Sequence, residues 1–277
     1  MKTLYISDLD GTLLGQDVQL SENTITILNE LIKNGLMFSI ATARSIASVK
    51  PILKRLTINL PVVLMNGVCI YDLWREEYIN IEPLSITSID YLLFVIKQHK
   101  LMGFVYVIKD GQLFTYYETL GTSSMQEFYK ERVKKYQKQF IQVENFSMLR
   151  EEPIIYFTLM DHKENLEPIY GIFKQYNELN CVFYKDNYSQ DLWYLEIFSK
   201  NASKYHALCF LRNYLSLDSI VSFGDNRNDL ALFEASDHKY AVANAVTELK
   251  DRADAVIGSN TDDGVAMWLK ENLLHNL

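Results

Sequence analysis

Tyr5-Ile6-Ser7-Asp8-Leu9-Asp10-Gly11-Thr12-Leu13-Leu14 begins as an apolar strand and turns abruptly polar. Side chains two apart on a strand share a face, so the carboxylates of Asp8 and Asp10 can point the same way. Two such anions repel unless a cation sits beside them, and carboxylate oxygens suit a hard ion such as Mg²⁺. Gly11 lets the backbone turn where the strand stops, and the Thr12 hydroxyl can tie that turn together. In open α/β sheets ligands bind at the carboxyl ends of the strands, where a carboxylate could attack phosphorus. Charge is the obstacle: at about 4 Å and an effective dielectric near 20, each pair of unit charges costs roughly 4 kcal/mol. An Asp approaching a dianionic phosphate meets roughly twice that, so such a site needs both a metal and a cationic side chain. Taken alone, the two Asp residues also read as turn and cap residues at a strand end.

The segments that follow keep an α/β rhythm. Ser21 is the expected N-cap of a helix with Ile25, Leu28, Leu31 and Ile32 at helical spacing, ended by Gly35. A short apolar strand over 36–41 ends at Thr42-Ala43-Arg44-Ser45 and leads into a helix through Leu56. A third strand, Pro61–Met65, ends at Asn66-Gly67. Strands that each finish in polar residues and alternate with helices indicate a doubly wound parallel sheet, a Rossmann-like α/β core. After Asp72 the texture changes to strands, hairpins and helices, with Asp110-Gly111 as a hairpin turn. That middle third reads as an inserted α+β domain, residues 83–194, between core segments 1–82 and 195–277. The α/β pattern then resumes with a helix from about 203, a strand over 219–223 running into Gly224-Asp225-Asn226-Arg227-Asn228-Asp229, and a final helix opened by 261–265.

Bulk properties narrow the function. The chain has 277 residues, 48% hydrophobic and 22% charged, as expected of a soluble protein with a real core. A net charge of −8 argues against nucleic-acid or acidic-membrane partners. Cys69, Cys181 and Cys209 lie scattered in apolar runs and read as reduced core residues. With no signal peptide at the start and no apolar run of membrane-spanning length, a cytoplasmic location is expected.

DLDGTLL, TARS, a Lys opening a late helix and GDNRND occur in the order found in the haloacid dehalogenase superfamily. The Asn66-Gly67 pair and the long insertion before Lys204 resemble its Cof-type phosphatases, whose cap lies at that place. The resemblance implies that Asp8 is a nucleophile forming an aspartyl-phosphate, and that Asp10 is first general acid and then general base. It implies Mg²⁺ held by the Asp8 carboxylate, the Asp10 main-chain carbonyl and Asp225, with Asp229 supporting the metal or its waters. Leu9, Thr42, Ala43, Lys204 and Asn228 would hold the phosphoryl group, and Arg44 and Asn66 are substrate-side candidates. Lys204 also answers the charge argument: a cation in the first turn of a helix is unfavourable for the dipole, which marks the position as functional.

Three departures from the family pattern stand out: Ala43 and Tyr205 where Gly is usual, and Asn201 where Gly is frequent. Asn is the next-best residue for a left-handed turn. The resemblance implies a phosphatase of small phosphorylated metabolites, sugar phosphates first and phosphorylated cofactors such as pyridoxal phosphate second. Its cap would close over the site, exclude water and choose the leaving group. A phosphomutase, or a catalytically idle sugar-phosphate regulator, would use the same pocket; retention of Asp8, Asp10 and Lys204 speaks against the idle form. Glu196 reads as structural, and the run from Lys130 to Lys138 as a solvated helix face.

Overall fold

The computed structural model describes residues 1–186 and 191–273, which divide into two compact units: Met1–Asn80 with Ser203–Leu277, and Ile81–Ala202. The first unit opens with β1 (Thr3–Ser7), α1 (Glu22–Lys33), β2 (Met37–Ile40), α2 (Ile46–Leu53), β3 (Val62–Leu64), β4 (Cys69–Asp72) and β5 (Glu77–Ile81). The second unit follows with α3 (Ile86–Gln98), β6 (Gly103–Lys109), β7 (Gln112–Tyr117), α4 (Ser123–Tyr136), β8 (Phe140–Gln142), β9 (Ile154–Asp161), α5 (Lys163–Lys174), β10 (Leu179–Lys185) and β11 (Trp193–Ser199). The chain returns to the first unit through α6 (Lys204–Leu215), β12 (Ser219–Gly224), α7 (Leu230–Glu234), β13 (His238–Val242), α8 (Thr247–Lys250), β14 (Ala255–Ile257) and α9 (Gly264–Leu273).

The central sheet of the first unit is parallel, in the order β14-β13-β12-β1-β2. Strand alternation gives it two apolar faces. Leu4, Ile6 and Ile220 pack under Ala207, Leu208 and Leu211 of α6 and Leu232 of α7. On the opposite face, Trp268 of α9 packs against Phe223 and Tyr240. Ser21 caps α1 by accepting the Thr24 N–H, as its sequence suggests.

The third strand does not continue the regular crossover pattern. It meets the sheet through a single parallel bridge, Ala41 to Val63, and pairs antiparallel with β4 in a three-stranded sheet β3-β4-β5. A single 3-10 turn, Met65–Gly67, follows β3 in place of a crossover α-helix. The chain instead turns through Met65 and Asn66, both with positive φ, and doubles back. Neither β4 nor β8 was foreseen from sequence: each is only three or four residues long and has no alternation of its own to read.

The second unit is a six-stranded sheet, β10-β11-β9-β6-β7-β8, antiparallel except for the β7–β8 pair. The hairpin turns at Asp110 and Gly111, both with positive φ. β11 runs unbroken across the 194/195 position where the sequence placed a domain boundary, and all of it belongs to this unit's sheet. Glu196 therefore lies mid-strand, held by the hydroxyls of Tyr156 and Tyr184. α3 and α5 cover one face, where Ile89, Leu92, Leu166 and Phe173 meet Val105, Phe157 and Ile197. α4 covers part of the other, stacking Phe128 on Phe104 at 4.9 Å.

Candidate active site

Register brings the polar clusters together. Ser7 pairs with Phe223 on one side and Ile40 on the other, so β1, β12 and β2 finish at one level. The residues just beyond them are Asp8, Asp225 and Ala41-Thr42. All emerge at the carboxyl edge of the sheet, beside the point where the strand order reverses, which is where ligands collect in this architecture.

Lys204 is the centre of the arrangement. Its side chain is 1% exposed, and the ammonium donates to Asp8 Oδ1 at 2.6 Å and to Asp229 Oδ1 at 2.7 Å. Burial by itself would depress its pKa, but the two carboxylates overturn that and hold it above the ordinary lysine value. These partners also offset the unfavourable place in the first turn of α6. Ser203 caps that helix through the His206 N–H. Gly67, at φ +97°, lies so close that a Cβ there would sit 2.2 Å from the Ser203 carbonyl oxygen. The glycine thus lets the start of α6 dock where the lysine can reach Asp8.

Asp229 uses both oxygens. Oδ1 takes Lys204, while Oδ2 accepts the main-chain N–H groups of Asp225 and Asn226 at 3.0 and 3.1 Å. It fixes the loop that presents Asp225. Thr12 does not tie its own turn, as its sequence suggested, but donates to Asp225 Oδ1 at 2.7 Å across 213 residues. Gly11 explains why these loops can approach: a Cβ on it would lie 2.5 Å from Asp225 Oδ2. Asn244, which the sequence gave no reason to single out, braces the same turn by donating to the Gly11 carbonyl at 2.7 Å.

Oxygens of Asp8, Asp225 and Asp229 lie within 4.8 Å of one another. Three carboxylates against one ammonium leave two negative charges uncompensated in a buried setting, so this donor set fits a hard divalent cation. Burial pushes the Asp8 carboxyl upward, Lys204 opposes it, and Asp229 and Asp225 add to the rise. Burial, with Asp229, raises Asp225 to about 6, against the opposing Thr12 hydroxyl.

Asp10 lies outside that triad. Its side chain is 49% exposed and is gripped by Arg44 in a bidentate pair, with Nε and Nη2 each 2.6 Å from a carboxylate oxygen. Arg44 thus meets the second Asp of the motif. Thr42 is buried, and its hydroxyl accepts the Arg44 N–H; the N-cap position of α2 belongs to Ser45. Ser45 Oγ and Asn66 Oδ1 are buried and have no hydrogen-bond partner among the described residues, and their loops are joined by main-chain bonds from Met65 to Arg44 and from Asn66 to Thr42. Ala43 and Asn228 are exposed at their loops. Neither Ala43 nor Asn201 takes a positive φ, so the absence of glycine strains neither loop and Asn201 makes no left-handed turn. Tyr205 points outward against His206 and leaves Lys204 undisturbed.

The family description "haloacid dehalogenase-like hydrolase" matches residues 5–269 of the chain. A Haemophilus influenzae protein with a provisional phosphatase name is 27% identical over 276 residues, covering 98% of each chain. The pyridoxal phosphate phosphatase YbhA of Escherichia coli is 24% identical over 274 residues, covering 96% of this chain and 97% of its own. Among solved structures, a Thermotoga maritima protein superposes with a TM-score of 0.80 at 26% identity, covering 98% of this chain and 97% of its own. A subclass IIB sugar phosphatase shares the fold, with a TM-score of 0.72 at 18% identity and 98% of each chain covered.

Proposed function

The chain belongs to the haloacid dehalogenase-like hydrolase family, and from that premise we propose a Mg²⁺-dependent phosphatase acting on phosphomonoesters of small metabolites. Sugar phosphates are the first substrate class and phosphorylated cofactors such as pyridoxal phosphate the second. One observation carries this reading: a fully buried lysine joins Asp8 and Asp229 beside Asp225, at the carboxyl edge of a parallel sheet.

Asp8 is the nucleophile. An oxygen of its carboxylate forms a bond to phosphorus while the bond from phosphorus to the alcohol oxygen breaks, giving an aspartyl-phosphate and the free alcohol. Asp10 delivers the proton that the departing oxygen needs, then accepts one from the water that cleaves the acyl phosphate. Arg44 sets the direction of that carboxylate through its two hydrogen bonds. Lys204 offsets the repulsion between Asp8 and the incoming phosphate. Main-chain N–H groups of Leu9 and Ala43, with Thr42 and Asn228, hold the phosphoryl oxygens. The Asp8 carboxylate, the Asp10 carbonyl oxygen and Asp225 would hold the cation, with Asp229 supporting it or its waters. When bound, Mg²⁺ supplies electrostatic stabilisation of charge on the phosphoryl oxygens.

The test is phosphate release from a panel of phosphorylated metabolites by the purified chain. Release is expected with Mg²⁺ present and should cease in excess EDTA. Asp8→Asn should abolish it while the far-ultraviolet circular dichroism stays unchanged; turnover at the unsubstituted rate in that variant would remove Asp8 from the nucleophile's role.

A further inference from the structure

Two carbonyls in the turn after β1 have no helix to receive them. Leu9 O accepts the N–H groups of Thr12, Leu13 and Leu14 at 3.3, 3.0 and 2.9 Å, which closes a single turn. A continuing helix would bring the Gly15 and Val18 N–H groups to the Gly11 and Leu14 carbonyls. Those groups go elsewhere: Gly15 N–H donates to the Gln19 carbonyl, and Val18 N–H to the Gly15 carbonyl. Two asparagines take the place of the missing donors. Asn244 Nδ2 donates to the Gly11 carbonyl at 2.7 Å, and Asn260 Nδ2 to the Leu14 carbonyl at 2.8 Å.

Topology makes the first of these a long reach. Asn244 follows β13 and Asn260 follows β14, at the same carboxyl edge of the parallel sheet as Asp8 and Asp225. β12 lies between β13 and β1, so Asn244 spans the Asp225 loop to meet the turn after Asp8. Its own loop also holds Asp225, since the Val246 N–H donates to the Asp225 main-chain carbonyl at 2.9 Å. With Thr12 Oγ1 on Asp225 Oδ1, the contacts close a ring that runs from Gly11 through Thr12, Asp225, Val246 and Asn244 back to Gly11.

The Asn244 amide is aimed by its other end. Oδ1 accepts the Asn260 N–H at 3.0 Å and the Ser259 hydroxyl at 3.3 Å, which leaves Nδ2 for Gly11. An aspartate would keep both of those bonds and lose the one to Gly11. Asn244 is exposed, so water can take over its partners when it is removed, and its contribution to folding is small. A side chain so placed governs the spacing of the two acidic loops more than the stability of the fold.

We propose that Asn244 is a positioning residue of the cation site: by holding the Gly11 carbonyl it sets how far the Asp10 carbonyl and Asp225 stand apart, and so how tightly Mg²⁺ binds. The Gly11 carbonyl is one planar peptide from the Asp10 carbonyl, so fixing the first limits how far the second can turn. The claim rests on the Mg²⁺-dependent reading above and adds to it a residue outside the donor set. Asn260 supports Asn244 by holding Leu14 and aiming the amide.

The test uses the full chain and three measurements: Mg²⁺ binding by titration calorimetry without substrate, the urea midpoint in EDTA, and hydrolysis of 4-nitrophenyl phosphate over a Mg²⁺ series. Groups that orient metal ligands typically change affinity or activity by about 10–100-fold when removed. Asn244→Ala should raise the calorimetric Mg²⁺ dissociation constant by about fivefold or more, and the Mg²⁺ concentration for half-maximal rate in step with it. KM for the aryl phosphate at saturating Mg²⁺ should change little, as should the midpoint in EDTA. Asn244→Asp separates geometry from charge. Its added negative charge alone would tighten Mg²⁺ binding, whereas loss of the Gly11 bond weakens it, and weaker binding is expected. A rise of less than about fivefold in Asn244→Ala, or binding as tight as or tighter than the unsubstituted chain's in Asn244→Asp, overturns the inference. So does a lowered midpoint in EDTA with Mg²⁺ affinity unchanged, the outcome of a purely structural role. In each of those cases an unsubstituted chain that releases phosphate with Mg²⁺ leaves the phosphatase reading standing. If that chain neither binds Mg²⁺ nor releases phosphate, both fall.

Discussion

Lys204 and Arg44 show how much one cation does when its partners are fixed. Removing Lys204 leaves Asp8 and Asp229 buried without their counter-charge, a kind of loss that typically costs about 3–5 kcal/mol. Lys204→Met should therefore lower the urea midpoint measured in EDTA, and phosphate release should fall by about 10²–10³-fold or more. Because the Lys204 pKa is raised, its contribution is fully present at neutral pH and is lost only above the ordinary lysine range. Arg44 is a smaller case. Its partner Asp10 is half exposed, so the pair adds little to stability, but its two hydrogen bonds hold the carboxylate in one orientation. Arg44→Ala should lower kcat by about tenfold to a hundredfold, with KM changed less and the unfolding midpoint nearly unmoved. Arg44→Lys should recover only part of the loss, since an ammonium cannot make the bidentate fork. A stability loss as large as that of Lys204→Met would point to a structural rather than a positioning role.

The helix α6 is the element on which the site turns, and two residues outside its regular turns decide where it begins. Ser203→Ala removes the cap bond to the His206 N–H and should cost about 1 kcal/mol. Gly67→Ala should do more harm. The new methyl would meet the Ser203 carbonyl, and φ +97° is strained for any residue with a Cβ. About 1–3 kcal/mol is expected from the backbone alone, with a further loss of kcat because Lys204 moves with the helix. Denaturant unfolding and steady-state kinetics on the two variants test the order; a Gly67→Ala protein that matches the unsubstituted one in both would show that α6 does not depend on this close approach. The sheet contributes the other half of the placement. Because β1, β12 and β2 end in register, a one-residue slip of any of them would turn its terminal residue to the opposite face.

At the scale of the whole molecule, the acidic cluster links folding to pH and to metal. Asp225, raised to about 6 by burial and Asp229, holds a proton in the folded state over a range where the unfolded chain has lost it. Its stabilising effect is present at low pH and is lost as pH rises from about 4 through about 6, a change of at most about 3 kcal/mol. A divalent cation bound only by the folded array reverses that loss by mass action. Saturating Mg²⁺ should therefore raise the urea midpoint more at pH 7.5 than at pH 5, where protons compete for the same oxygens; equal shifts at both values would separate the metal from Asp225. Much of this was legible in the chain. Asp8, Asp10 and Asp225 stand out through the order and spacing of their motifs, since an acid at a strand end alone also reads as a turn residue, whereas Lys204 stands out because a cation in a first helical turn contradicts local preference. The parallel core followed from the spacing of apolar residues: periods of 2 and 3.6 are properties of neighbours in sequence. Tertiary structure alone decided that Arg44 grips Asp10, that Thr12 bonds Asp225, that β3 leaves the central sheet and that Lys138 is half-buried near the Tyr106 ring rather than on a solvated helix face. Those outcomes depend on which distant segments a closed packing brings within hydrogen-bond reach, and no short-range pattern encodes that choice.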